Sequence, residues 1–311
     1  MTIGIDIGGT NIKCGVVDDA GNVSDRLNLV TADYPSIPEL AGDLRERYND
    51  LLTQKKIRGI GIGAPNANLH SGNIEHAANL QWMGIVPVAK PFSEAFGVPC
   101  SLTNDANAAA VGEMKFGVAK GMTDFIVITL GTGVGSGIVA NGKLIVGHDG
   151  FAGELGHCVV VRGGRLHHRT ALRGTLESYA SATGVVETAI ELLDADTNST
   201  NRKSELRSIP GTELTSRKIF EAAQRGDVLA QEVFEFTGNI LGEALASFVH
   251  FSSPEAIIFF GGLSHAGELL MKPVREAMEA NLLQNFKGRV KLLQSSLPEA
   301  DAAILGAASL V

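Results

Sequence analysis

Two glycine-rich stretches and a handful of acids carry the residue types in this chain that can do chemistry. Asp6-Ile7-Gly8-Gly9-Thr10 lies between runs in which apolar residues alternate with small or polar ones, the period of two strands meeting at a tight turn. Adjacent glycines let backbone N–H groups approach an anion with no Cβ in the way, and the Thr10 hydroxyl adds a donor. Asp6, just before them, suits a metal ion or a water shared with the same anion, so phosphate with magnesium fits the stretch. The same Gly-Gly-Thr also serves as an ordinary hairpin turn. Its repetition favours the ligand: residues 125–139 again read as strand, Gly/Thr tip with Thr132 and Gly133, and returning strand. Two such tips would grip a nucleotide's phosphates from both sides, which points to a two-lobed ATP-binding protein.

The acids stand at strand ends and in loops. Asn104-Asp105 closes an expected strand over 98–103 and opens a helix, where Asp105 would either cap the first turn or take a hydroxyl proton during phosphoryl transfer. Asn104 beside it would orient the same hydroxyl. Asn79-Leu80-Gln81-Trp82 offers a carboxamide next to an aromatic face, suited to a sugar ring and equally to a structural turn beside a packed tryptophan. Glu154 and His157 sit among glycines, and Glu177 opens a helix. Acids and carboxamides that converge are how proteins read sugar hydroxyls, while lone loop acids are usually just solvated. Gly261-Gly262, after the buried run 257–260, would let an adenosine lie against bare backbone or simply turn the chain.

Alternating α and β patterns must position these groups. A meander strand is expected over 22–30. Ser36 and Glu39 form a capping box ahead of Leu40, Leu44, Tyr48, Leu51 and Leu52 at helical spacing. A buried strand over 57–62 precedes an irregular loop reaching Trp82, and a short helix ends near Phe96. Residues 196–211 read as a polar surface loop, 227–251 as a long helix, the region near Val290 as a strand and 300–311 as a small-residue helix. With 311 residues, 44% of them hydrophobic, the chain can fill two cores. A net charge of −8 argues against nucleic acid, and no apolar run nears the ~18 residues of a membrane span. No leader precedes the first strand, so the cytoplasm is the expected location. Cys14, Cys100 and Cys158, odd in number and far apart, read as reduced packing residues.

Taken in order, these motifs resemble the ROK family of sugar kinases and sugar-responsive repressors, within the actin-like ATPase superfamily. Asp6 to Lys13 looks like its first phosphate motif, 130–137 like its second, and Gly261-Gly-Leu-Ser264 like its adenosine motif; Asn104 to Ala110 with Gly112-Glu113, and Gly153 to His157, are its more specific signatures. The resemblance implies an α/β fold of two ribonuclease-H-like lobes, 1–117 joined by the C-terminal helix 298–311 and 118–297, with an interlobe cleft. It implies a kinase using ATP and Mg2+ on a hexose, glucose at its 6-hydroxyl being the preferred reading, with Asp105 as general base. Asn79, Asn104, Glu154, His157 and Glu177 would hold the sugar; Gly8, Gly9, Thr10, Lys13, Thr132, Gly133, Gly261 and Gly262 would hold the nucleotide, and Asp6 the magnesium. A homodimer fits the family. The alternative is a sugar-sensing regulator without kinase activity, but those carry a DNA-binding domain before the first hairpin, where only Met1 and Thr2 stand here. An actin-like structural ATPase would leave the sugar-reading residues without purpose.

The sequence departs from the family's pattern in two places. Many members carry three zinc-binding cysteines beside the histidine equivalent to His157; their positions here are His168, Thr170 and Thr175. Threonine does not replace a thiolate, so no zinc is expected. Asn66 replaces the usual glycine after Gly63-Ala64-Pro65.

Overall fold

The alternation of isoleucine with glycine near the N-terminus decides the first sheet. In the computed structural model, which describes residues 1–54, 56–197, 202–298 and 300–311, strands β1 (Thr2–Ile7), β2 (Asn11–Val17), β3 (Val23–Val30), β4 (Gly59–Gly63) and β8 (Cys100–Thr103) run in the order β3-β2-β1-β4-β8. β1 and β2 are antiparallel with Asp6 opposite Lys13, whereas β1, β4 and β8 are parallel. Ile3, Ile5, Ile7, Ile60 and Ile62 pack in one core with Ile37, Leu40 and Leu44 of α1 (Ile37–Arg47), which is followed by the short α2 (Asn49–Thr53), and with Phe92 and Phe96 of α3 (Ala89–Phe96). Each such side chain, taken out of water, contributes about 1.5–3 kcal/mol. The glycines between them accommodate the other neighbour: a Cβ on Gly4 or Gly61 would run into the carbonyls of Ile304 and Ala307 in α10 (Ala302–Ala308). The small-residue helix at the C-terminus therefore lies directly on the strands beside α4 (Asp105–Phe116).

One half of the capping box forms, with the Glu39 N–H donating to Ser36 Oγ; the Glu39 carboxylate accepts from the Ser36 hydroxyl where the full motif has it accept from the Ser36 backbone N–H. The loop expected between the strand over 57–62 and Trp82 is more regular than its pattern: within it β5 (Ala67–Asn68) and β6 (Asn73–Glu75) pair, and β7 (Ile85–Pro87), just beyond Trp82, completes a small antiparallel sheet. Asn66 takes φ +52°, in the left-handed region that asparagine tolerates better than most residues, which is how the loop accepts it in place of glycine.

The second five-stranded sheet is ordered β11-β10-β9-β12-β13, from β9 (Phe125–Leu130), β10 (Val134–Ala140), β11 (Lys143–Leu144), β12 (Ala256–Phe260) and β13 (Lys291–Gln294). Helices α5 (Glu177–Ala180), α6 (Ala182–Thr197), α7 (Ser216–Gln224), α8 (Val228–Ser252) and α9 (Glu268–Asn281) accompany it, α8 capped by the Asp227 carboxylate accepting from the Ala230 N–H. By contact density the chain forms two compact units, Met1–Val127 with Gly137–Gly153 and Ser295–Val311, and Ile128–Ser136 with Glu154–Gln294.

Two expectations are corrected. The stretch over 196–211 is not simply a solvated loop: Asp196 is buried and accepts from Arg202 and Arg207, while residues 198–201 lie outside the described residues. Cys158 is exposed rather than packed; Cys14 is buried, and all three thiols are free.

Candidate functional site

In the first unit the β1–β2 tip is closed by the Gly8 N–H donating to Asn11 C=O at 2.9 Å, and the Thr31 hydroxyl donates to Gly8 C=O at 2.7 Å. The Gly8 donor is thus spent on the turn, and Gly9, Thr10 and Asn11 are exposed at the tip. Gly9 has a steric reason as well, because a Cβ there would meet the backbone carbonyl of Asn79. That approach brings the exposed Asn79 to the hairpin tip. Trp82 goes the other way: it is buried and its Nε1–H donates to Tyr34 C=O at 3.0 Å, while Gln81 Nε2 donates to Thr31 and Tyr34 carbonyls. The aromatic face is core, and a sugar platform at Trp82 is excluded.

At the mouth of α4 the capping role falls to Asn104, whose Oδ1 accepts from the Ala106 N–H at 2.8 Å and the Asn107 N–H at 3.4 Å. Asp105 occupies the first helical position, exposed, with one oxygen accepting from the Ala106 N–H at 2.8 Å. Asp6, near the end of β1, is poorly solvated. Burial, then the charge of Asp105, pushes its carboxyl up to about 6, partly offset by Lys13 across the hairpin. Two carboxylates in each other's field, one poorly solvated, are an oxygen donor set that a hard divalent cation such as magnesium relieves, so these residues fit that ion.

The second unit gathers the remaining acids around a loop. Glu154 Oε2 accepts from His157 Nδ1 at 3.1 Å, and this hydrogen bond raises the basicity of His157 against the opposing effect of burial. Glu177 is held twice: its Oε2 accepts from the Val134 N–H at 2.7 Å and its Oε1 lies 2.8 Å from His167 Nε2. The other ring nitrogen of His167, Nδ1, is 2.7 Å from Thr170 Oγ1. Gly133 is bare because a Cβ would collide with the Glu177 carboxylate. The tip of this second hairpin therefore serves the acid first; Thr132 is its exposed residue. Gly261, at φ +101°, turns past the Leu130 carbonyl, where a Cβ would clash, and leads into Gly262.

Sequence reasoning missed His167, Arg165 and the Val134 N–H. Arg165 anchors the loop carrying His167: its guanidinium donates to both Glu191 oxygens at 2.7 and 2.6 Å, to the Ser178 and Gly184 carbonyls and to Thr188 Oγ1, and stacks 4.5 Å from the Tyr179 ring centre. The Tyr179 hydroxyl in turn accepts from the Arg165 N–H at 2.9 Å. A closed, four-ligand zinc site does not fit these residues. His168 is exposed, Thr170 is engaged with His167, and the Thr175 hydroxyl is buried against Ser178 Oγ at 2.8 Å. The histidine that stands beside His157 is His167 rather than His168: His157, His167 and Glu177 place one donor atom each within 4.8 Å of one another.

The family model described as "ROK family" matches residues 2–311. The chain is 33% identical to a glucokinase of Halalkalibacterium halodurans, covering 99% of this chain and 94% of that protein, and 32% identical to a glucokinase of Thermotoga maritima, covering 99% and 96%. Its fold superposes with a TM-score of 0.77, at 31% identity and over 100% and 98% of the two chains, on the crystal structure of a ROK family glucokinase from Streptomyces griseus in complex with glucose and AMPPNP.

Proposed function

This chain belongs to the ROK family, and we propose that it is an ATP-dependent hexose kinase that transfers the γ-phosphoryl group to the 6-hydroxyl of glucose. The observation that carries the assignment of the base is the division of labour at the start of α4: Asn104 satisfies the helix N–H groups, and Asp105 is presented at the end of β8 with an exposed carboxylate. Asp105 accepts the proton of the attacking hydroxyl as the oxygen bonds to phosphorus and the bond to the ADP oxygen breaks. Asn104 and Asn79 orient the sugar from the same unit; Glu154, His157 and Glu177 read its other hydroxyls, each in a fixed acceptor or donor direction set by its own partner. Gly9, Thr10 and Lys13, with Thr132, Gly133, Gly261 and Gly262, receive the nucleotide; the Gly8 N–H is already committed to the turn. Magnesium, when bound, supplies neutralisation of the phosphate charge, and Asp6 is the residue that would hold it.

The chemistry is mostly positioning and charge neutralisation. Support for small-molecule partners only comes from the net charge of −8, and among the described residues no helix is long and apolar enough to cross a membrane. The cytoplasm is the proposed location, and a homodimer is proposed because it fits the family. The test is Asp105→Asn. It should lower kcat on glucose by about 10³-fold, within the range of lost general-base catalysis, while glucose binding measured by calorimetry stays close to that of the parent. Comparable turnover in the variant would remove Asp105 from the mechanism.

A further inference from the structure

The cluster formed by His157, His167 and Glu177 has more order than hydroxyl reading asks for. One donor atom from each lies within 4.8 Å of the others. Each imidazole is steered by a partner: His157 Nδ1 lies 3.1 Å from Glu154 Oε2, and His167 Nδ1 lies 2.7 Å from Thr170 Oγ1 with its Nε2 facing Glu177 Oε1 at 2.8 Å. A carboxylate or hydroxyl behind an imidazole fixes the ring and strengthens the opposite nitrogen as a ligand, the arrangement found behind metal-binding histidines. The second oxygen of Glu177 is held by the Val134 N–H at 2.7 Å, so Oε1, which faces His167, is the oxygen it turns toward the two imidazoles.

Two imidazole nitrogens and one carboxylate oxygen match zinc-class divalent cations; magnesium and calcium want an all-oxygen shell. Three protein ligands are the number that leaves a coordination position open. The side chains of His167 and Glu177 are 14% and 15% exposed and that of His157 is 32% exposed, so the cluster is largely dry yet reachable. A cavity of about 110 Å³ lined by Thr132, His167, Glu177, Ser181 and Thr183 adjoins it. This exceeds the roughly 30 Å³ that one water occupies in the liquid.

We propose that His157, His167 and Glu177 form an open, three-ligand site for one zinc-class divalent cation, and that the hexose displaces this cation because it draws on Glu177 and His157. The displacement rests on the kinase reading above; the donor set does not. The site differs from the family's thiolate site in its ligands, since His167 and Glu177 supply what the positions now occupied by His168, Thr170 and Thr175 do not.

The probe is Co2+ added to tag-free protein in excess Mg2+, followed by visible absorption. One equivalent should produce tetrahedral d–d bands. They should be absent in His167→Gln and in Glu177→Gln, unchanged in His168→Gln, and bleached by saturating glucose; circular dichroism confirms the fold of each variant. No bands with the parent protein, bands that survive in either of the first two variants, loss in His168→Gln, or bands that persist under glucose would overturn the proposal. Glucose turnover is measured separately by ADP release, so a failure of the kinase reading shows itself independently of the cobalt spectrum.

Discussion

The two glycine hairpins look alike in sequence and are put to different uses. At the first, Gly9 and Thr10 are exposed beside a pair of carboxylates, of which Asp6 is held up to about 6 by burial and by Asp105. At the second, the Val134 N–H is already given to Glu177, and Gly133 is glycine to let that carboxylate in. In the first region the Asp6 carboxyl is poorly solvated and lies in the field of Asp105. The second has its acids matched, Glu177 by His167 and Val134 and Glu154 by His157. Under the proposed function, chemistry falls where a carboxyl is poorly solvated, and recognition where the acids are held by partners.

The contrast is open to breaking at four places. Arg165→Ala removes the anchor of the loop carrying His167, and with it a stacked, multiply bonded guanidinium; it should cost about 3 kcal/mol in urea unfolding, as expected when several hydrogen bonds to a buried charged group are lost and the Ser178, Gly184 and Thr188 acceptors are left unpaired, the Glu191 end of the pair being exposed. A loss below the range of ordinary surface changes would show that the loop is held by something else. Glu177→Gln forfeits charge-assisted bonds of the kind worth about 1.5–3 kcal/mol, so KM for glucose should rise about 100-fold with a smaller change in kcat. An effect on kcat alone would transfer Glu177 to the chemical step.

Asp6 sharpens the opposite side. Because its folded carboxyl titrates near 6, above its ordinary 3.8, the folded protein binds the extra proton in that window, and stability falls as pH rises from about 4 to about 6. Asp6→Asn should therefore stabilise the protein at neutral pH by on the order of 2 kcal/mol, with the gain vanishing at pH 4, while activity is lost. A gain independent of pH would contradict the charge explanation. The smallest effect belongs to Trp82→Phe: loss of its hydrogen bond to Tyr34 should cost about 1 kcal/mol of stability and leave KM for glucose unchanged.

Much of this was legible in the sequence for specific reasons. Isoleucine alternating with glycine in 3–7 and 59–63 announces strands with one greasy and one bare face, and Asn104-Asp105 announces a strand running into a capped helix. Which of the two residues caps was not legible, because both side chains are competent and only the backbone geometry selects Asn104. Trp82 was ambiguous since a tryptophan beside carboxamides is compatible with core or ligand until Tyr34 is found behind it. His167 carried no motif of its own. The only signal was the absent cysteine set in the next residues, which says that something must hold Glu177 without saying what. The role of the Val134 N–H is a backbone property with no side-chain signature.

The account's central claim, an ATP-dependent hexose kinase preferring glucose, is tested most directly by a coupled ADP-release assay with ATP and magnesium across glucose, other hexoses and N-acetylhexosamines. Robust turnover on glucose, dependent on ATP and well above that on the N-acetyl sugars, is the predicted result. Silence on every sugar while glucose still binds would contradict it and make the protein a sugar sensor.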